Sequence, residues 1–220
     1  VCEMNYRYLT PKEFRKESFA IGTKNRYLIK LGELSTGTEL HMPVIVVRGV
    51  KDGPKVFIGA GQQADETASI DAVIRFGAEL NPNHVSGIIV IVPLANSPAW
   101  AMRQPLYPFD APTVANPFSL AKSDSKGIMT ERVLDALVES VALDSQYALD
   151  LHATHLDSVN YPFTFIFQTK GEKANVKTRR EELAKQVGYE IIYNWPSHST
   201  GFNGILQSRG CPTVAIQAGE

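Results

Sequence analysis

Hydrophobic positions in the 220-residue chain fall into short runs bounded by Gly, Pro, Ser and Asp, and their spacing predicts strands alternating with helices. Tyr27 to Leu34 and Met42 to Arg48 read as strands punctuated by Ser35-Thr36-Gly37 and by Gly49 to Pro54. Pro43 to Val47 is apolar without alternation, which suits a strand covered on both faces. Lys55 to Ala60 then runs into a helix over about Asp65 to Leu80 with Ile70, Val73, Ile74 and Leu80 on its apolar side, and Gly87 to Pro93 forms the next strand. Strand, helix, strand at this spacing predicts a βαβ unit, hence a mainly parallel sheet with right-handed crossovers. Further on, the pattern predicts helices over Thr130 to Val141, Glu172 to Val187 and Gly201 to Ser208, and strands at Tyr147 to His152, Phe163 to Phe167, Glu190 to Tyr193 and Thr213 to Gln217. Thr10-Pro11-Lys12-Glu13 is a capping box that predicts a short helix to Phe19, and Met102 to Lys126 reads as a long loop.

Composition narrows the partners. Hydrophobic content of 44% is ample for one packed domain. Lys plus Arg number 22 against 23 for Asp plus Glu, so no net field points to nucleic acid or an anionic membrane, and a small-molecule partner is expected. Cys2 and Cys211, at opposite ends, make no disulfide framework and read as free thiols. With no long apolar run and no signal-peptide pattern, the chain is expected to be soluble and cytoplasmic. The basic helix carrying Lys170, Lys173, Lys177, Arg179 and Arg180 reads as a solvated face, and His41 and His84 as exposed turn residues. The start at Val1 suggests a processed or partial reading frame.

Three predicted strand ends carry polar groups: Gln63 to Glu66, Asp150 with His152, and Gln217 with Glu220. Open α/β sheets gather such ends into a site. Glu66 taken alone could be a carboxylate at a helix head, and His152 a satisfied interior imidazole. His155 would face away from His152 in an extended strand, so only a bend after Ala153 brings it to the same place. The loop Trp195 to Gly201, with His198, reads as surface.

In order and spacing, the segments Gln63-Ala-Asp-Glu66, Pro93-Leu-Ala-Asn-Ser-Pro98, Arg103, Asn116-Pro-Phe118, Asp150-Leu-His152 and Gln217-Ala-Gly219 resemble the succinylglutamate desuccinylase/aspartoacylase family of the zinc carboxypeptidase superfamily. The resemblance implies a three-layer α/β/α sandwich with a mixed, mostly parallel central sheet. It implies residues 1–42 as an N-terminal helix and strand extension and 43–220 as a carboxypeptidase-like domain of catalytic type; the family's C-terminal β domain is expected to be either missing or cut off from a fragment. It also implies a zinc held by His, Glu and His, whose bound water attacks an N-acyl amino acid or similar small amide or ester. Glu66 and His152 match two metal ligands, Arg103 an oxyanion or substrate arginine, and Asn116 a substrate-binding position. Three positions depart: Gln63 stands at the first metal His, Pro117 at the Arg after Asn116, and Gln217 at the general-base Glu. An amide binds zinc poorly and cannot act as a base near neutral pH, so a weakly held or missing zinc is expected. Two functions follow: a metallohydrolase with an altered site, in which Asp65, His155 or water replaces the lost His, or a non-catalytic binding or regulatory protein using the same pocket.

Overall fold

A computed structural model describes residues 5–110, 122–155, 158–168, 172–196 and 200–219. Its described strands are β1 (Tyr6–Leu9), β2 (Thr23–Glu33), β3 (Glu39–Arg48), β4 (Lys51–Ala60), β5 (Ser86–Val92), β6 (Tyr147–His152), β7 (Phe163–Gln168), β8 (Ile191–Pro196) and β9 (Thr213–Gln217). All nine join one sheet in the order β1-β2-β3-β5-β4-β6-β9-β7-β8. β4, β5, β6 and β9 run parallel and form its centre, β2–β3, β3–β5 and β7–β9 pair antiparallel, and β1–β2 and β7–β8 pair parallel. The sheet is therefore mixed and mostly parallel, as expected.

Helices cover both faces. α1 (Pro11–Arg15), α4 (Met129–Ala136, continuing as a π-turn over Leu137–Val141) and α6 (Gly201–Ser208) cover one face. Phe14, Tyr27, Phe57, Val133, Leu134, Ala148 and Phe202 meet in its core. α2 (Thr67–Glu79) and α5 (Ala174–Val187) lie on the other, where Val73 packs with Ile45, Val47 and Ile91, and Ala184 with Ile166 and Val214. Residues before 43 supply β1 and β2, and β2 pairs with β3 along almost its whole length. Strand β1 and the short helix α3 (Ser97–Ala101) carry no clear hydrophobic period and escape the sequence pattern.

Two local readings need correcting. Arg180 is 1% exposed rather than solvated, because its guanidinium donates to the Phe167 carbonyl at 2.7 Å and pairs with Glu172. His41 is part-buried in β3, 3.3 Å from Glu39 and edge-on to Tyr8. Lys170 and Cys2 lie outside the described residues. Burial pushes the Cys211 thiol up to about 12, so it is an unreactive core group. Gly87 holds a left-handed φ of 89°, and a Cβ there would sit 2.1 Å from the Pro54 carbonyl oxygen, so only glycine opens β5 beside β4.

Candidate functional site

The parallel centre of the sheet brings three carboxyl ends together. After β4, the turn at 61–66 is tied down from outside: Asn96 N donates to Gly61 O at 2.8 Å, Asn96 Nδ2 to Gln62 O at 3.3 Å, and Ala64 N to Pro105 O at 2.9 Å. In the β6–β9 register His152 stands opposite Gln217, and Ala218 N then donates to His152 O at 3.0 Å. Gly219 closes the corner with φ 93°, where a Cβ would lie 3.0 Å from the Ala68 Cβ in the first turn of α2. Backbone pairing alone therefore sets Glu66, His152 and Gln217 at one edge.

The side chains there form a continuous buried chain. Asp150 and His152 alternate along β6 and so share a face, the one that Ala148 shares with the Phe57 core. His152 Nδ1 lies 2.9 Å from Glu66 Oε2, and its Nε2 lies 3.1 Å from Asp150 Oδ2. Asp150 also accepts from Gln62 Nε2 at 2.7 Å and from Asn203 Nδ2 at 3.0 Å. Glu66 is 2% and Asp150 1% exposed. A carboxylate only accepts, so both imidazole contacts are attractive together only when both ring nitrogens carry hydrogen. Burial alone would lower the His152 pKa, but the charges and hydrogen bonds of Asp150 and Glu66 outweigh it and hold the ring well above the usual histidine range. Glu66 is thus committed to His152 and makes no cap bond to its own helix.

The other sequence-predicted residues stand as follows. Gln217 is buried, and its amide Nε2 donates to the Ala153 carbonyl, which turns it toward the backbone. Gln63 is part-buried and its carbonyl accepts Glu66 N at 3.4 Å, while its amide bonds to none of the described residues. Arg103 is exposed, with a left-handed φ of 52°, and bonds to none of these groups among the described residues; Pro105 of its loop accepts from Ala64 N. Asn116, Pro117, His198 and Glu220 lie outside the described residues. Beyond the end of β6, His155 Nδ1 comes to 2.8 Å from Asp65 Oδ2, forming a second acid–imidazole pair. Gln62 and Asn203 escape sequence reasoning, since neither has a spacing that marks it as a partner of Asp150.

These residues do not fit a zinc held by His, Glu and His. The two strong donors are hydrogen-bonded to each other, the other nitrogen of His152 is taken by Asp150, and the third position offers an amide. Among the described residues, no three His, Cys, Asp or Glu side chains are arranged to hold a metal ion.

The likeness to known proteins is consistent across sequence and structure. The chain is 31% identical over 183 residues to an N-alpha-acetyl-L-2,4-diaminobutyric acid deacetylase of Halomonas elongata, covering 81% of this chain and 51% of that protein. It spans, then, about half the length of this curated relative. The succinylglutamate desuccinylase/aspartoacylase of Rhodobacter sphaeroides superposes with a TM-score of 0.76 at 17% identity, over 88% of this chain and 57% of that one. The product-bound ectoine utilization protein EutE of Ruegeria pomeroyi gives a TM-score of 0.73 at 18% identity, covering 89% and 59%. An aspartoacylase family protein of Mesorhizobium loti gives 0.71 at 20% identity, covering 89% and 61%. No protein-family model matches the chain.

Proposed function

The chain carries the fold of the succinylglutamate desuccinylase/aspartoacylase proteins, and from that premise we propose that it binds a small N-acyl amino acid at the carboxyl edge of the sheet without hydrolysing it through zinc. One observation carries the reading: the Glu66–His152–Asp150 chain is closed on itself, and glutamines stand at the first ligand position and at the base position. In the family chemistry, a zinc would polarise the acyl carbonyl and activate water. Here Gln217 cannot take a proton from that water, and a missing base alone costs about 10²- to 10⁴-fold in rate. What these residues can do is orient a ligand. His152, held between two carboxylates, offers a fixed polar floor, and the Gln63 amide provides a donor and an acceptor with no described partner.

The competing reading keeps a zinc-dependent deacylase with an altered site, and the 31% identity to a deacetylase favours it. Calorimetry with N-α-acetyl-L-2,4-diaminobutyrate and a panel of other N-acetyl amino acids, alongside an acetate-release assay with zinc added, separates the two. Binding without acetate release is the expected result. Zinc-dependent acetate release by the unaltered chain would overturn it, and so would the absence of binding across the panel.

A further inference from the structure

Deepening the binding reading, on which it rests, we propose that the Asp65–His155 pair is a subsite for an ammonium group on the ligand. The pair flanks the buried chain through its neighbours, since Asp65 precedes Glu66 and His155 lies three residues beyond His152. The Asp65 carboxylate accepts only, so the His155 ring donates through Nδ1, at 2.8 Å, and in the neutral imidazole Nε2 is then the acceptor. The side chain of His155 is 44% exposed and that of Asp65 19%, so the imidazole is the accessible member, backed by a largely enclosed charge. Nε2 has no partner among the described residues, and neither does the buried Asp65 Oδ1.

The local charge selects the kind of ligand. Asp65, Glu66 and Asp150 supply three carboxylates against two imidazoles, His152 and His155, which leaves at least one negative charge in excess (3 − 2 = 1) even with both rings protonated. No described Lys or Arg forms an ion pair with any of the three. The head of α2 contributes roughly half a positive charge, less than this deficit. A ligand ammonium supplies the missing charge and donates to His155 Nε2, whereas a second ligand carboxylate there would be repelled.

The test uses the full chain and two probes that differ only in having an ammonium or a methyl group at the end of the side chain, N-α-acetyl-L-2,4-diaminobutyrate and N-acetyl-L-norvaline. Calorimetry is expected to show the amine-bearing probe binding about tenfold tighter or more, as a charge-assisted hydrogen bond gives. Asp65→Asn and, on the more exposed partner, His155→Ala should each bring the ratio of the two affinities to within about threefold, with thermal unfolding confirming that the variants fold. Equal affinities in the unaltered chain, or a preference that survives both substitutions, would overturn the subsite while leaving the pocket reading in place. Failure of both probes to bind would overturn both readings, and binding of the norvaline probe alone would overturn the subsite.

Discussion

Asp150→Ala tests whether the buried chain of polar groups is a structural unit. Asp150 is 1% exposed and accepts three hydrogen bonds, from Gln62 Nε2 at 2.7 Å, Asn203 Nδ2 at 3.0 Å and His152 Nε2 at 3.1 Å. Truncation leaves two amide donors and one imidazole donor facing a gap. Each buried donor left unpaired costs about 1–3 kcal/mol, and water entering the gap recovers part of that, so a loss of about 3–5 kcal/mol is expected. Against a total stability of roughly 5–15 kcal/mol for a single domain, that is a large fraction. Urea unfolding at pH 7, followed by far-UV circular dichroism, measures it. The control is Asp71→Ala, which removes only an exposed pair with Arg75 and should cost at most about 0.5 kcal/mol. A loss below about 1 kcal/mol for Asp150→Ala would show that the buried chain is not a structural unit, because the three donors would then have found other partners.

Three further outcomes follow from the same geometry. His152 titrates well above its ordinary value, so the stability it contributes is complete below about pH 6.5, the unfolded value, and is lost as pH rises through the folded one; the urea midpoint should fall from pH 6 to pH 9 and fall less in Asp150→Ala. Gly87→Ala should cost more than about 2 kcal/mol, through a Cβ 2.1 Å from the Pro54 carbonyl and a strained φ, and a thermal midpoint within a degree or so of the unaltered protein would contradict it. Arg180→Ala leaves Glu172 buried without its partner and should cost about 3–5 kcal/mol in urea unfolding, whereas a solvated arginine would cost almost nothing.

Much of this fold is legible in the sequence because the parallel centre announces itself. Apolar runs such as Pro43–Val47 and Gly87–Val92 are covered on both sides, and the amphipathic helices between them have clear periods. Strand β1 and helix α3 are too short for a period to show, and Arg180 has the spacing of a surface cation although a buried acid claims it. At the site, Glu66, His152 and Gln217 are legible through their places at strand ends, which the register then brings side by side. What sequence spacing cannot give is which side chain bonds to which. Glu66 could have capped its helix, His155 meets Asp65 from beyond the end of β6, and Gln62 and Asn203 reach Asp150 only through long-range packing.

Whether Gln63 and Gln217 have removed zinc from this fold is decided most directly by elemental analysis of the chain purified without chelator, beside the double variant Gln63→His with Gln217→Glu. Well under about 0.2 zinc per unaltered chain and close to one per double variant are expected, since the variant regains a second imidazole beside His152 and Glu66 and so the third ligand that such a zinc site needs. Stoichiometric zinc in the unaltered chain would contradict it.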